Sequence, residues 1–140
     1  MANFNRRPQS LSDITDHVVA GAPLGYAVRE FLDHWAALTH DTERAAAWAV
    51  SPPILAGRIP DGAVADAYLA AVAEKLAWDH RMEPPEWIFG PERFLRDPWF
   101  AASDIPGLRP LLLMESPVSF RRRNLFVTAN ALERARSAIR

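Results

Sequence analysis

His34 and His40, with Asp41 alongside, come closest in this sequence to a metal-binding group. A separation of six residues suits two ligands on one helical face poorly, because i and i+4 is the favourable spacing. His17 and the Asp79-His80 pair stand elsewhere, and there is no HExxH or other dense cluster. No metal or other cofactor is therefore expected. The chain has no cysteine, which removes disulfides, thiolate metal sites and cysteine nucleophiles together and fits a reducing compartment. No serine sits in a G-x-S-x-G turn, and the six glycines are too scattered to form a loop that cradles phosphate. The carboxylates are numerous, but no feature of the sequence makes one of them a general acid or base.

The sharpest charged cluster is Phe120-Arg121-Arg122-Arg123-Asn124. From Glu115 to Arg140 there are six arginines against two acids, whereas Asp61 to Asp104 carries nine acids against four bases. A basic end on an acidic body points to an anionic partner or to complementarity within the chain. One use of such a cluster is a helix-turn-helix, with Arg134 and Arg136 aimed at DNA. The connector 124–129 is long for that turn, however, and has an apolar Leu-Phe-Val centre. A net charge of −1 is also modest for an independent DNA binder. The favoured reading pairs these arginines with the acidic middle of the same chain or with an acidic protein surface, since arginine is enriched at interfaces. Fifteen of the sixteen bases are arginine, a usage typical of a GC-rich genome, which weakens any argument that each guanidinium was selected for its chemistry.

Five tryptophans in 140 residues is a high count. Trp35 and Trp78 fall in predicted helices and are expected to anchor the core. Trp48, Trp87 and Trp99 lie in or beside irregular segments, where exposure would make them interface candidates.

The elements that must position these residues read as helical throughout. Ser10 and Ser12 open a first helix, with Leu11, Ile14 and Val18 on one face and Gly21 ending it. Pro23 begins a second, whose stripe Leu24, Val28, Phe31, Trp35 and Leu38 is the cleanest amphipathic pattern in the chain. Asp41 is a plausible N-cap for a third helix through Val50, stopped by Ser51-Pro52-Pro53. Asp61 caps the longest, about Gly62 to Arg81, with Val64, Tyr68, Leu69, Val72 and Leu76 inward and Asp66, Glu74 and Asp79 outward. The segment 83–107 mixes five prolines with Trp87, Phe89, Phe94, Trp99 and Phe100. A disordered linker would be poor in aromatics, so this is expected to be an ordered wrapping connector, with one turn of helix at Pro91–Leu95. Leu108–Met114 reads as a short apolar helix, Ser116-Pro117 starts another through Arg123, Leu125–Val127 is an extended connector, and Asn130–Glu133 is a capping box for a final helix.

With no period-2 pattern longer than three residues, the fold class is all-α. The expectation is a compact single-domain helical bundle over residues 10–140, with a flexible tail at 1–9 and a Pro/Trp-rich wrapping segment. The polar N-terminus has no apolar leader core, and the densest run of large apolar side chains, Leu111-Leu112-Leu113-Met114, is far below the ~20 residues of a spanning helix. A cytoplasmic protein without a membrane partner is expected.

Two resemblances bear on function. Arg29 and His34 form an R-x4-H pattern that resembles the short signature of HEPN-type ribonucleases, which are all-α and commonly toxins. That resemblance implies a phosphate-binding Arg29, an acid–base His34 and a dimer pairing two copies. Five residues also turn a helix by about 140°, so the two side chains need not share a substrate. The second resemblance rests on Glu115–Val127, on Ala67–Glu74 and on Pro91–Leu95, and covers about residues 26–136. These stretches are similar to small actinobacterial helical proteins that occur alone, beside predicted nucleotidyltransferase-like toxins or fused to Xre-type DNA-binding domains. It implies an antitoxin-like or regulatory partner module and carries over no catalytic residue.

The expected function is a non-enzymatic protein-binding module, an antitoxin or regulatory subunit that occludes a protein partner. Its expected surface joins Trp87, Trp99 and Phe100 to Arg121, Arg122 and Arg123, the aromatics giving affinity and the arginines register. A metal-independent ribonuclease and a DNA-binding regulator are the alternatives, and a homodimer is compatible with each.

Overall fold

The computed structural model describes residues 6–101 and 105–132, and among them the fold is all-α, with two strands of two residues each. Among the described residues no helix is long and apolar enough to cross a membrane. The chain divides into two units, Met1–Val50 with Asn130–Arg140, and Ser51–Ala129.

The first unit follows its sequence signals closely. Helix α1 (Leu11–Val19) starts at Ser10, whose hydroxyl accepts a hydrogen bond from the Asp13 amide at 3.1 Å. Gly21, at φ 114°, makes the turn into α2 (Leu24–Ala36), with Pro23 at the N-cap. The inward face of α2 is Ala27, Val28, Phe31, Leu32 and Trp35, while Leu24 and Leu38 at the ends of the expected stripe are only half-buried. Helix α3 runs from Asp41 to Ala46, so His40 rather than Asp41 holds the cap position, and the helix ends four residues before Val50. Trp48 is buried after all: its ring lies 5.7 Å from that of Trp35, and Leu11 donates its amide to the Ala47 carbonyl. Residues 6–9 are held in place. Arg7 pairs with Glu30, the Gln9 amide donates to Asp13, and His17 Nε2 bonds the Arg6 carbonyl at 3.0 Å.

The second unit is built around α4 (Gly62–Asp79), an alanine-rich helix buried nearly all round. Such a helix must be enclosed by other elements. The 3-10 turns Glu86–Phe89 and Pro91–Arg93 both pack on it, as do α6 (Val118–Arg121) and β2 (Leu125–Phe126). The wrapping segment then forms β1 (Trp99–Phe100), parallel to β2 with Trp99 opposite Leu125. Asn124, at φ 63°, turns the chain into β2 and donates its side-chain amide to the Leu95 carbonyl at 2.9 Å. Between them lies α5 (Arg109–Glu115), preceded by a 3-10 turn at Pro106–Leu108.

Three expectations about α4 change. Asp61 occupies the N-cap with φ 57° but makes no capping hydrogen bond through its side chain. Asp66 and Glu74, expected outside, are fully buried, because oppositely charged side chains from the wrapping segment and from the end of α6 come in to meet them. Trp78, expected in the core, is about half exposed. The capping box at Asn130 and the helix after it fall mostly outside the described residues; 129–132 form turns.

Candidate functional site

Two buried ionic groups on α4 account for most of the unusual charge in the second unit. The Asp66 carboxylate accepts the Leu55 and Ala56 amides at 2.7 and 3.0 Å and lies 4.0 Å from Arg93. Arg93 donates to the carbonyls of Pro52 (2.6 Å) and Asp66 (3.3 Å) and to the Ser51 hydroxyl, and its guanidinium stacks 4.7 Å over the Trp87 ring. Two turns further along, Glu74 takes Arg123 on Oε1 at 2.6 Å and Arg122 on Oε2 at 2.8 Å. Arg123 also donates to the Ser119 and Ile88 carbonyls and lies 4.6 Å from the Phe94 ring.

Burial pushes both guanidinium groups below their usual range. For Arg93 the charges of Asp66 and Glu92 push back; for Arg123 the hydrogen bond and charge of Glu74 do so, against the like charge of Arg122. Arginine keeps its proton under ordinary conditions, so both remain cations. Each is buried among carbonyls and a carboxylate, and its contacts cross-link the fold.

This corrects part of the expected partner surface. Arg123 is wholly buried and is a core ion-pair member, not a surface contact. Arg122 keeps an exposed edge, with 42% of its side chain accessible, but its charge is committed to Glu74 and it lies 5.9 Å from the Phe89 ring. Arg121 is exposed too, and no carboxylate among the described residues pairs with it. The aromatics are likewise engaged with the fold. Trp87 is half-buried under Arg93, Trp99 is half-buried in β1, and Phe100 stacks on Phe126 at 5.0 Å with Arg109 on it at 4.9 Å.

The structure does not bring the other candidate residues together. Arg29 is exposed and His34 half-buried on α2, and no hydrogen bond joins them. His40 contacts Thr39 and Glu43 at the start of α3. Among the described residues no group of three or more His, Cys, Asp or Glu could hold a metal ion. Arg134, Arg136 and Arg140 lie outside the described residues.

Among the described residues, several exposed apolar side chains gather elsewhere, on α5. Only Leu112 of this helix is buried. At about 100° per residue, Leu111, Met114, Pro110 and Leu113 follow one another around its outer side. All four are exposed, Met114 at 79%. Val118 at the start of α6 and Leu108 just before α5 are exposed as well. Solvent-facing sides of helices are normally polar, so four exposed apolar residues on one side of α5 stand out. The sequence did carry a signal for it: Arg109-Pro110-Leu111-Leu112-Leu113-Met114-Glu115 has no polar residue between its two ends, so no rotation of the helix could bury all its leucines and still face water with polar groups.

Charge frames this surface. Arg121 donates to the carbonyls of Met114 (3.2 Å) and Ser116 (2.8 Å), capping the end of α5, and no carboxylate among the described residues pairs with it. Arg109 at the other end is exposed, with the Phe100 ring as its neighbour. Compared with known proteins, the chain matches no family model, no curated relative and no solved structure.

Proposed function

We propose that this chain is a helical protein-binding module whose docking surface is the outer side of α5. The observation that carries this reading is the run of Pro110, Leu111, Leu113 and Met114, all exposed on a helix that buries only Leu112. Covering what is left accessible of each large side chain would stabilise a complex by roughly 1 kcal/mol apiece, enough together to anchor a partner that also makes polar contacts at the rim. The buried pairs Asp66–Arg93 and Glu74–Arg123 fit the same role, because they tie the wrapping segment and the chain just after α6 to α4 within the unit that carries α5.

The form of function we propose is that of a regulatory or antitoxin-like subunit that covers its partner, in line with the resemblance of residues 26–136 to antitoxin-like proteins. Arg121 stays in the proposed contact set, now beside Met114 rather than with Trp87 and Trp99. Co-expression of the tagged chain with the products of its neighbouring genes tests this, the eluted mass being read by size exclusion with light scattering and nucleic acid by the absorbance ratio. A stoichiometric heterocomplex that is lost on Met114→Glu is expected. A lone, nucleic-acid-free species, or a complex indifferent to Met114→Glu, would overturn the reading.

A further inference from the structure

His17 sits between two backbone acceptors in the first unit. Its Nδ1 lies 2.9 Å from the Asp13 carbonyl oxygen, one turn back on α1, and its Nε2 lies 3.0 Å from the Arg6 carbonyl oxygen. A carbonyl oxygen can only accept, and a neutral imidazole carries a proton on just one of its nitrogens. Both contacts are hydrogen bonds only when the ring is an imidazolium that donates from each side. A neutral ring turns a lone pair towards one of the two oxygens. The position itself favours a cation, since His17 stands in the last turn of α1, at the negative end of the helix dipole.

The Nε2 contact reaches across to the incoming segment 6–9. Pro8 of that segment is buried, and the Gln9 amide donates to the Asp13 carboxylate at 2.9 Å. Arg7 pairs with Glu30 at 3.6 Å, but about half of the Arg7 side chain is in water, and a pair so exposed holds the segment weakly. The other charged groups of the elements that meet here are Asp16 on α1, Arg6 on the segment, and Arg29, Asp33 and His34 on α2, which packs against α1. Of these side-chain types only histidine changes charge between about pH 5 and 8. We infer that His17 is a proton-dependent latch: as an imidazolium it fastens segment 6–9 to α1, and loss of its proton loosens the segment and uncovers the surface beneath Pro8. Fastening is therefore strongest at low pH and weakens as His17 gives up its proton.

The latch is read in the full chain from solvent exchange of the Gln9 amide by NMR, its rate set against that of an unstructured chain at the same pH. Protection is expected to fall about tenfold between about pH 5.5 and 8, as the loss of one hydrogen bond from a charged donor would give. The fall should follow the titration of the His17 ring resonances. His17→Gln, which keeps a donor but cannot titrate, should hold the segment weakly and remove the pH dependence, whereas His34→Gln should retain it. Gln9 protection that stays constant over this range, that changes as much in His17→Gln, or whose change disappears in His34→Gln would overturn the latch.

Discussion

Glu74 and Arg123 meet at 2.6 Å with neither side chain exposed, although 49 residues separate them along the chain. The contact fixes the end of α6 to the middle of α4, and because Arg123 also holds the Ile88 carbonyl it ties in the wrapping segment. A buried pair of this kind is often no more stabilising than well-packed apolar residues, but removing Arg123 leaves the desolvated Glu74 carboxylate with only the half-exposed Arg122 and strips the donor from the Ser119 and Ile88 carbonyls.

Arg123→Met is therefore expected to lower stability by about 3–5 kcal/mol, read as a fall in the urea midpoint of the full chain. The neighbouring Arg121→Ala is expected to shift it by no more than about 0.5 kcal/mol, since Arg121 is exposed. Adding Glu74→Leu to Arg123→Met should recover part of the loss. The recovery stays incomplete because the Ser119 and Ile88 carbonyls lose their donor. Equal effects of Arg121→Ala and Arg123→Met would contradict the burial described here.

The tryptophans divide in the same way. Trp48→Ala is expected to cost about 3–5 kcal/mol, since its ring fills the first unit against Trp35. Trp78→Ala is expected to cost less than about 1 kcal/mol because half of that side chain is already in water. Thermal unfolding of the two variants side by side would show whether the order holds.

Gly62 gives a sharper backbone test. A Cβ there would fall onto the carbonyl of Leu55, in the loop whose Leu55 and Ala56 amides bind Asp66. Gly62→Ala, normally favourable inside a helix, is expected to destabilise by more than about 2 kcal/mol through overpacking. A neutral or stabilising outcome in the denaturation midpoint would mean that the Leu55 loop does not lie this close to α4.

How far these features were legible in the sequence depends on the range of the interaction. Ser10, Gly21 and the Val28–Phe31–Trp35 stripe act within a few residues of themselves, and the helices they announce are present. Asp66 and Glu74 were assigned to water because helical periodicity treats a carboxylate as outward-facing. Their counter-charges arrive from 27 and 49 residues away, which no local pattern reports. The same blindness hid Arg123, read as part of a uniform basic triplet although each of its three members meets a different environment. Trp48 reads as lying beside an irregular segment because Ser51-Pro52-Pro53 follows it closely, yet its ring is buried beside Trp35, although the helix ends already at Ala46. The α5 surface was present in the composition of its seven residues, but the aromatic segment, more conspicuous in sequence, drew the expectation of an interface towards Trp87 and Trp99.

The central claim is that a protein partner covers the outer side of α5, and site-specific photo-crosslinking in the native host tests it most directly. A photoreactive side chain at position 114 is predicted to give one discrete protein adduct that the same group at position 29, on the exposed side of α2, does not give. No adduct at 114, or the same adducts from both positions, would contradict the account.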